Sequence, residues 1–552
     1  MHISENKSSS KKSKKIYQSV LLRESYREGG KVKKRTIANL SHCKPAEIAA
    51  IKLALKHKDN LSEVGSLKES VELQEGLSVG AIWTVYHIAK QLGIERALGR
   101  DFCGKLAMWQ VIARVIDQGS RLSAVRLAQI HAACDVLGIS RGFDENDLYE
   151  NLKWLADNQQ KIEKALFSVR RKETRPELFL YDVTSSYLEG TKNYFGEYGY
   201  NRDGKKGKQQ IVIGLLCDEF GDPVSTEVFT GNTQDTQTFA CQVRKAAERF
   251  GCERVTFVGD RGMIKSPQIE KLPEGFHYIT AITKAQIHAL IDQGVIQLGL
   301  FDEDVCEVED NGIRYILRRN PFRVEEINES RTSKRNSVEK LLKEKNLYLR
   351  EHKRAKVQTA IKDVSKKIEK LKIDKWLRVR SQGRDLELEV NNKVLEQASL
   401  LDGCYVIKTD LPQDAADKQV IHDRYKDLTE VERAFRTFKT DFLEVRPVYV
   451  QTEKSTRSHV LVVMLSYMII RILRRAWQRF DLTVEEGLKQ LGTLCSMEIK
   501  VKSQAPCLKI PRPRETSRQL LKALDIRMPT VLPHRNVRVV TRKKLAERRK
   551  VS

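Results

Sequence analysis

The chain contains no Cys-x-x-Cys pair, no glycine-rich phosphate loop and no apolar run long enough to span a bilayer. Each absence removes a class of protein. Its ten cysteines are scattered, at 43, 103, 134, 217, 241, 252, 306, 404, 495 and 507, which argues against a zinc site or a disulfide framework and suits a reducing cytoplasm. The longest apolar stretch, "VLVVMLSYMIIRIL", meets Arg471 after eleven residues, short of the roughly 20 that a membrane helix needs. The opening "MHISENKSSSKKSKKIYQ" lacks the apolar centre of a signal peptide. No aromatic-rich sheet motif of the RNA-recognition type is present, which lowers an RNA-binding structural role.

Positive charge is what the chain has in excess. Its 99 Lys and Arg outnumber 73 Asp and Glu, for a formal net charge of +26, and such a balance suits a polyanionic partner. At 552 residues the chain has room for roughly two to four domains.

Patterning divides it further. Residues 1–44 read as a basic lead, "KSSSKKSKK", followed by a hairpin around Gly29-Gly30. Residues 45–175 carry apolar residues at three and four spacing, as in "MWQVIARVIDQ", and read as a helical region. Residues 176–284 hold "ELFLYDVTSSYLEG", a strand expected to end in Asp182, then two apolar runs flanking "EFGD", a helix capped near Gly251, and the strand of "VTFVGDRGM". Residues 285–400 read as an insertion with an Asn311-Gly312 hairpin and long charged helices. Sheet patterning resumes over 401–480, and 481–552 is a basic C-terminal region.

Val255, Phe257 and Val258 deliver Asp260 at the end of a buried strand, the same grammar that places Asp182. Three strands, a helix and a fourth strand form the opening of a ribonuclease H-like sheet, with Asp182 and Asp260 on adjacent central strands. A third carboxylate lies in "HDRYKDLTEVERAFRTFKTDF". There Tyr425, Leu428, Glu432, Arg436 and Lys439 stand at offsets 0, 3, 7, 11 and 14, which share one stripe of a helix. An ordinary solvated face with a Glu432–Arg436 pair has the same pattern. Val431, Ala434, Phe435 and Phe438 supply a packing face opposite it.

These residues, with "TGNTQDTQTF", "GDRGM" and "AFRTFKTDFLEVRPVYV", resemble the DDE transposases of bacterial insertion sequences, more narrowly the subgroup with the signature Y-x2-R-x3-E-x6-K. The likeness covers about residues 176–480, and "SYREGGKVKKRTIANL" adds a weaker one. It implies an α/β fold: a ribonuclease H-like catalytic domain, interrupted by a mixed β/helical insertion and preceded by a mostly helical DNA-binding region. It also implies metal-dependent cleavage and strand transfer at terminal inverted repeats.

Asp182 would bridge two Mg²⁺ ions, with Mn²⁺ able to substitute, while Asp260 and Glu432 each serve one. Tyr425 and Lys439 would hold DNA phosphates, joined by Arg261, Arg433 and Arg436. Leu428 stands where the signature has Arg, and Arg433 or Arg436 is the expected replacement. The expected partner is double-stranded DNA, both transposon ends and target, bound by a homodimer near the nucleoid in the cytoplasm, with no membrane and no small-molecule cofactor. The alternatives are a nuclease of the same fold without strand transfer, and an inactive DNA-binding regulator.

Other residues point less far. His459 reads as a packing or capping histidine and Trp376 as packing between helices. Lys205, Lys206 and Lys208 form a basic hairpin tip. The tail "HRNVRVVTRKKLAERRK" either tracks DNA backbone or is disordered.

Overall fold

The computed structural model describes residues 1–9, 16–59, 71–171, 177–302, 304–440, 442–446, 449–501, 507–533 and 535–542. Its centre is an eight-stranded mixed sheet. Strands β5 (Leu178–Tyr187), β6 (Gln210–Asp218), β7 (Pro223–Thr230), β8 (Val255–Gly259), β9 (Phe276–Ala281), β10 (Cys306–Asp310), β11 (Ile313–Arg319) and β14 (Cys404–Thr409) lie in the order β10-β11-β14-β9-β8-β5-β6-β7. β5, β8 and β9 are mutually parallel, and the remaining pairs are antiparallel.

Alternation explains how this sheet is buried on both faces. Phe179, Tyr181, Phe257 and Tyr278 point into one core with Phe239 and Phe250. Leu178, Leu180, Val258 and Ile279 point into the other, which is continuous with Ile82 and Trp109 of the N-terminal helices. The Glu453–Trp477 helix runs through that second core and is buried around its whole circumference from Val460 to Ile470. The apolar run that is too short for a membrane is therefore an internal strut. Among the described residues no helix is long and apolar enough to cross a membrane.

The Asn311-Gly312 hairpin is β10 and β11, and β11 pairs with β14 as part of the central sheet. A separate small core lies beyond it. The Pro321–Glu351 and Val357–Lys370 helices pack on β12 (Leu377–Gln382) and β13 (Asp385–Val390) around Val338, Val364, Ile368 and Trp376. Trp376 is thus a packing residue.

Several local readings change. The lead contributes a strand, β1 (His2–Ser9), paired with β2 (Ile16–Glu28), which turns at Gly29-Gly30 into β3 (Lys31–Asn39). Lys11, Lys12, Lys14 and Lys15 lie outside the described residues. β4 (Val71–Ser78) interrupts the helical N-terminal pattern because it pairs with β15 (Cys495–Val501), which in turn pairs with β16 (Cys507–Lys509). The described part of the tail packs rather than trails. Val539 is buried, the Arg535 N–H donates to Asp135, and Arg542 pairs with Asp144.

Candidate active site

β5 does not end at Asp182. It runs five residues further, to Tyr187, because β6 pairs with it along its whole length from Phe179 to Tyr187. What ends at Asp182 is the apolar character of one face: Leu178 and Leu180 give way to Asp182, Thr184 and Ser186 where the sheet leaves the core. β8 repeats this pattern, with Val258 in the same core and Asp260 just past the strand. The two strands pair in parallel from Leu178 opposite Thr256 to Tyr181 opposite Gly259. One step further in that register, Asp182 stands opposite Asp260.

The third carboxylate comes from across the sheet face. The Leu428–Lys439 helix packs on β5 and β6 through Val431, Ala434, Phe435 and Phe438, leaving Glu432 and Arg436 exposed. Its stripe is not continuous over four turns. Tyr425 belongs to the preceding Lys418–Lys426 helix, and the two helices meet at Asp427, whose backbone stays in the right-handed helical region (φ −62°, ψ −13°). Tyr425 still faces the acids. Burial and Asp260 push its hydroxyl up, with Arg261 opposing and Glu432 adding to the effect, so it stays protonated as a donor. Leu428 turns inward and is 9% exposed. No ion pair joins Glu432 to Arg436 among the described residues; Arg433 instead pairs with Glu430 at 2.5 Å.

Asp182 carries the electrostatic signature of the site. It lies deep in the fold with part of its surface open, and Oδ1 accepts from the Val183 N–H at 2.7 Å. Burial is the main cause that pushes its pKa up to about 7; the Val183 N–H and Arg202 oppose it, while Asp260 and Glu432 push it further. The three acids therefore sense one another. No ion pair with Asp182 forms among the described residues, so this donor set suits a hard divalent cation. Among the described residues no three His, Cys, Asp or Glu side chains stand close enough to hold a metal in the arrangement seen.

Partners that sequence reasoning missed surround the acids. Arg202 donates to the Val183 carbonyl at 2.7 Å and to Asp235 at 2.7 Å. Asp235 and Asp260 both lie within 4.0 Å of the position a Cβ on Gly262 would take. Lys439 pairs with Asp203 at 2.7 Å, and Asp203 also accepts from the Tyr187 N–H at 3.1 Å. Asp235 opens a helix within "DTQTF", a weak signal; Asp203 and Lys439 are 236 residues apart and gave none. Two clefts reach β5 within four residues of Asp182. One, of about 460 Å³, is lined by Ser185, Arg202, Asp235, Gly262 and Lys265; the other, of about 350 Å³, by Ser186, Asp203, Lys205, Lys439 and Arg446. Arg261 is exposed beside Asp260, its backbone N–H donating to Asp260 at 2.8 Å.

The family model described as transposase DDE domain matches residues 173–469, more than half of the chain. The chain belongs to the DDE transposases. A second model, the IS1634 family transposase N-terminal domain, matches residues 6–68 of the transposase. Transposase DDE domains are in general dependent on divalent metal. No curated protein matches the transposase. Among solved structures, a piggyBac transposase synaptic complex with hairpin DNA, seen by cryo-EM, is similar at 9% identity over 75% of each chain, with a TM-score of 0.34, too slight a likeness to carry an argument.

Proposed function

We propose that Asp182, Asp260 and Glu432 are the catalytic and metal-holding carboxylates of this transposase, with Mg²⁺ as the natural ion and Mn²⁺ able to replace it. The observation that carries this reading is the β5–β8 register, which brings Asp182 and Asp260 side by side under the helix that presents Glu432. Held by these carboxylates, such ions would supply activation of the attacking oxygen and stabilisation of the leaving one. The chain's own groups do the rest. Asp182, deep in the site, would hold a cation in its deprotonated form, Tyr425 keeps its hydroxyl proton, and Lys439 is held in place by Asp203.

Cleavage joins a water oxygen to phosphorus and releases a DNA 3′-hydroxyl; transfer uses that hydroxyl to attack a target phosphodiester and release its 3′ oxygen. Lys439, Arg261, Arg433 and Arg436 are proposed to hold phosphates of double-stranded DNA, with Tyr425 beside them. The strand order β7-β6-β5-β8-β9, three antiparallel strands followed by two parallel ones, supports a ribonuclease H-like reading of residues 176–284 and 401–480. The 285–400 region is proposed as the insertion, 1–44 as a basic lead with a hairpin, 45–175 as the end-binding part and 481–552 as a basic C-terminal region. A homodimer would hold two transposon ends, in the cytoplasm at the nucleoid.

The test uses purified protein and a duplex bearing the inverted repeats that flank its own reading frame. Mg²⁺-dependent nicking at the repeat boundary, followed by joining to a second duplex and lost in Asp182→Asn, is expected. Cleavage without joining would make it a nuclease, and binding without cleavage a regulator.

A further inference from the structure

Two arginines are buried together with no ion pair to either among the described residues. Arg114, at the end of the Phe102–Ile116 helix, and Arg121, at the start of the Arg121–Ile130 helix, are 5% and 4% exposed. Arg114 donates to the carbonyls of Gln118 at 2.6 Å and Gly119 at 3.1 Å, and its Nε has no partner. Arg121 reaches only His459 Nδ1, at 3.4 Å, and its Nε is also without a partner. A guanidinium only donates, so Nδ1 accepts, and the His459 proton sits on Nε2, which donates to the Val445 carbonyl at 3.1 Å. The histidine is neutral and adds no negative charge.

Burial lowers the pKa of both arginines, to about 10 for Arg114 and about 9 for Arg121. Asp117 and Glu444 partly offset this at Arg114, whereas Arg114 itself worsens it at Arg121. Two buried cations without an ion pair are costly even with Asp117 and Glu444 nearby, since buried charges in proteins are normally paired. These two line a cavity of about 40 Å³, with Ser120, Glu444, Arg446, Tyr449 and His459. That is room for about three waters, the scale of one tetrahedral oxyanion and too small for a nucleobase. Arg446 at its mouth also lines the 350 Å³ cleft with Lys439. A strand laid along that cleft passes the opening.

We propose that this cavity is a phosphate-binding site, filled by one backbone phosphate of the DNA end, with Arg121 and Arg114 inside and Arg446 and Tyr449 at the mouth. The DNA assignment rests on the transposase function proposed above. The site would fix the N-terminal helices to the Glu444–Arg446 segment when DNA binds, coupling end recognition to the catalytic face.

The experiment has two arms and uses the full chain. In the first, thermal unfolding is followed in inorganic phosphate against chloride at equal ionic strength, for wild type, Arg446→Gln and Arg121→Gln. Phosphate is expected to raise the wild-type midpoint and to have little effect on either variant; Arg446→Gln, at the mouth, keeps the test intact where the buried variant fails to fold. In the second, single methylphosphonates are walked along the end duplex. One position should weaken wild-type binding about tenfold, and Arg446→Gln should be insensitive there.

No phosphate effect, or one unchanged in Arg446→Gln, overturns the site. A phosphate effect with no variant-sensitive position, and no displacement of phosphate by DNA, assigns a free oxyanion and overturns the DNA source. These outcomes are independent of metal-dependent nicking. Nicking with an unaltered phosphate response sinks only this site, while a variant-sensitive position without nicking sinks only the catalytic reading.

Discussion

Asp182 and Asp260 each follow directly on the last pair of two adjacent parallel strands, Tyr181 opposite Gly259, and the strands' pairing offset, 78 residues from Leu178 to Thr256, equals the two acids' own separation (260 − 182). The register thus specifies the pair. A slip of one residue would turn one carboxylate to the opposite face of the sheet.

Asp182→Asn, Asp260→Asn and Glu432→Gln should each lower cleavage by about a hundredfold or more while leaving end binding nearly intact, because each removes a proposed cation ligand without disturbing the sheet. Nicking of labelled end duplex, beside a gel-shift assay, checks this. A variant that cuts at near the wild-type rate is not a ligand.

Without metal, the folded state holds a proton on Asp182 up to about pH 7, whereas the unfolded chain releases it near the ordinary Asp value. The native state therefore binds more protons between those limits, so this group's contribution to stability falls as pH rises through that window. Asp182→Asn should flatten the fall, as read by denaturant unfolding across pH in chelator. Metal affinity should move the other way, increasing up to about pH 7 as protons cease to compete. A pH-independent affinity would contradict the placement of Asp182.

Lys439→Ala should weaken DNA binding and reduce the slope of log affinity against log salt by about 0.9, the value for one phosphate on duplex DNA. An unchanged slope would mean that Lys439 serves Asp203 alone.

Leu428→Arg, which puts Arg at the position the Y-x2-R-x3-E-x6-K pattern would have it, should destabilise the protein by roughly 2–4 kcal/mol, since the leucine is buried and the change would bury a charge. Urea unfolding reads this. Undiminished stability with tighter DNA binding would place position 428 at the site.

The strands carrying Asp182 and Asp260, the packing face of the Glu432 helix and the buried 453–477 helix were legible because each is a local pattern: an apolar alternation or a helical period that the chain satisfies against any core. Long-range pairings were not. β4 is a polar stretch that becomes a strand only when β15, from the other end of the chain, lies beside it, and Asp203 meets Lys439 across 236 residues. The apparent end of β5 at Asp182 misled because loss of apolar character on one face looks the same as loss of the strand.

By itself, then, the sequence determined which residue types could do phosphoryl chemistry, their order and the elements that carry them, since local periodicity dictates which face each side chain takes. The tertiary structure alone decided the neighbours. It aligned Asp182 with Asp260, divided the Tyr425 stripe between two helices at Asp427, turned Leu428 inward and left Arg114 and Arg121 buried without an ion pair, because burial and charge pairing are properties of surfaces that meet only when distant segments pack.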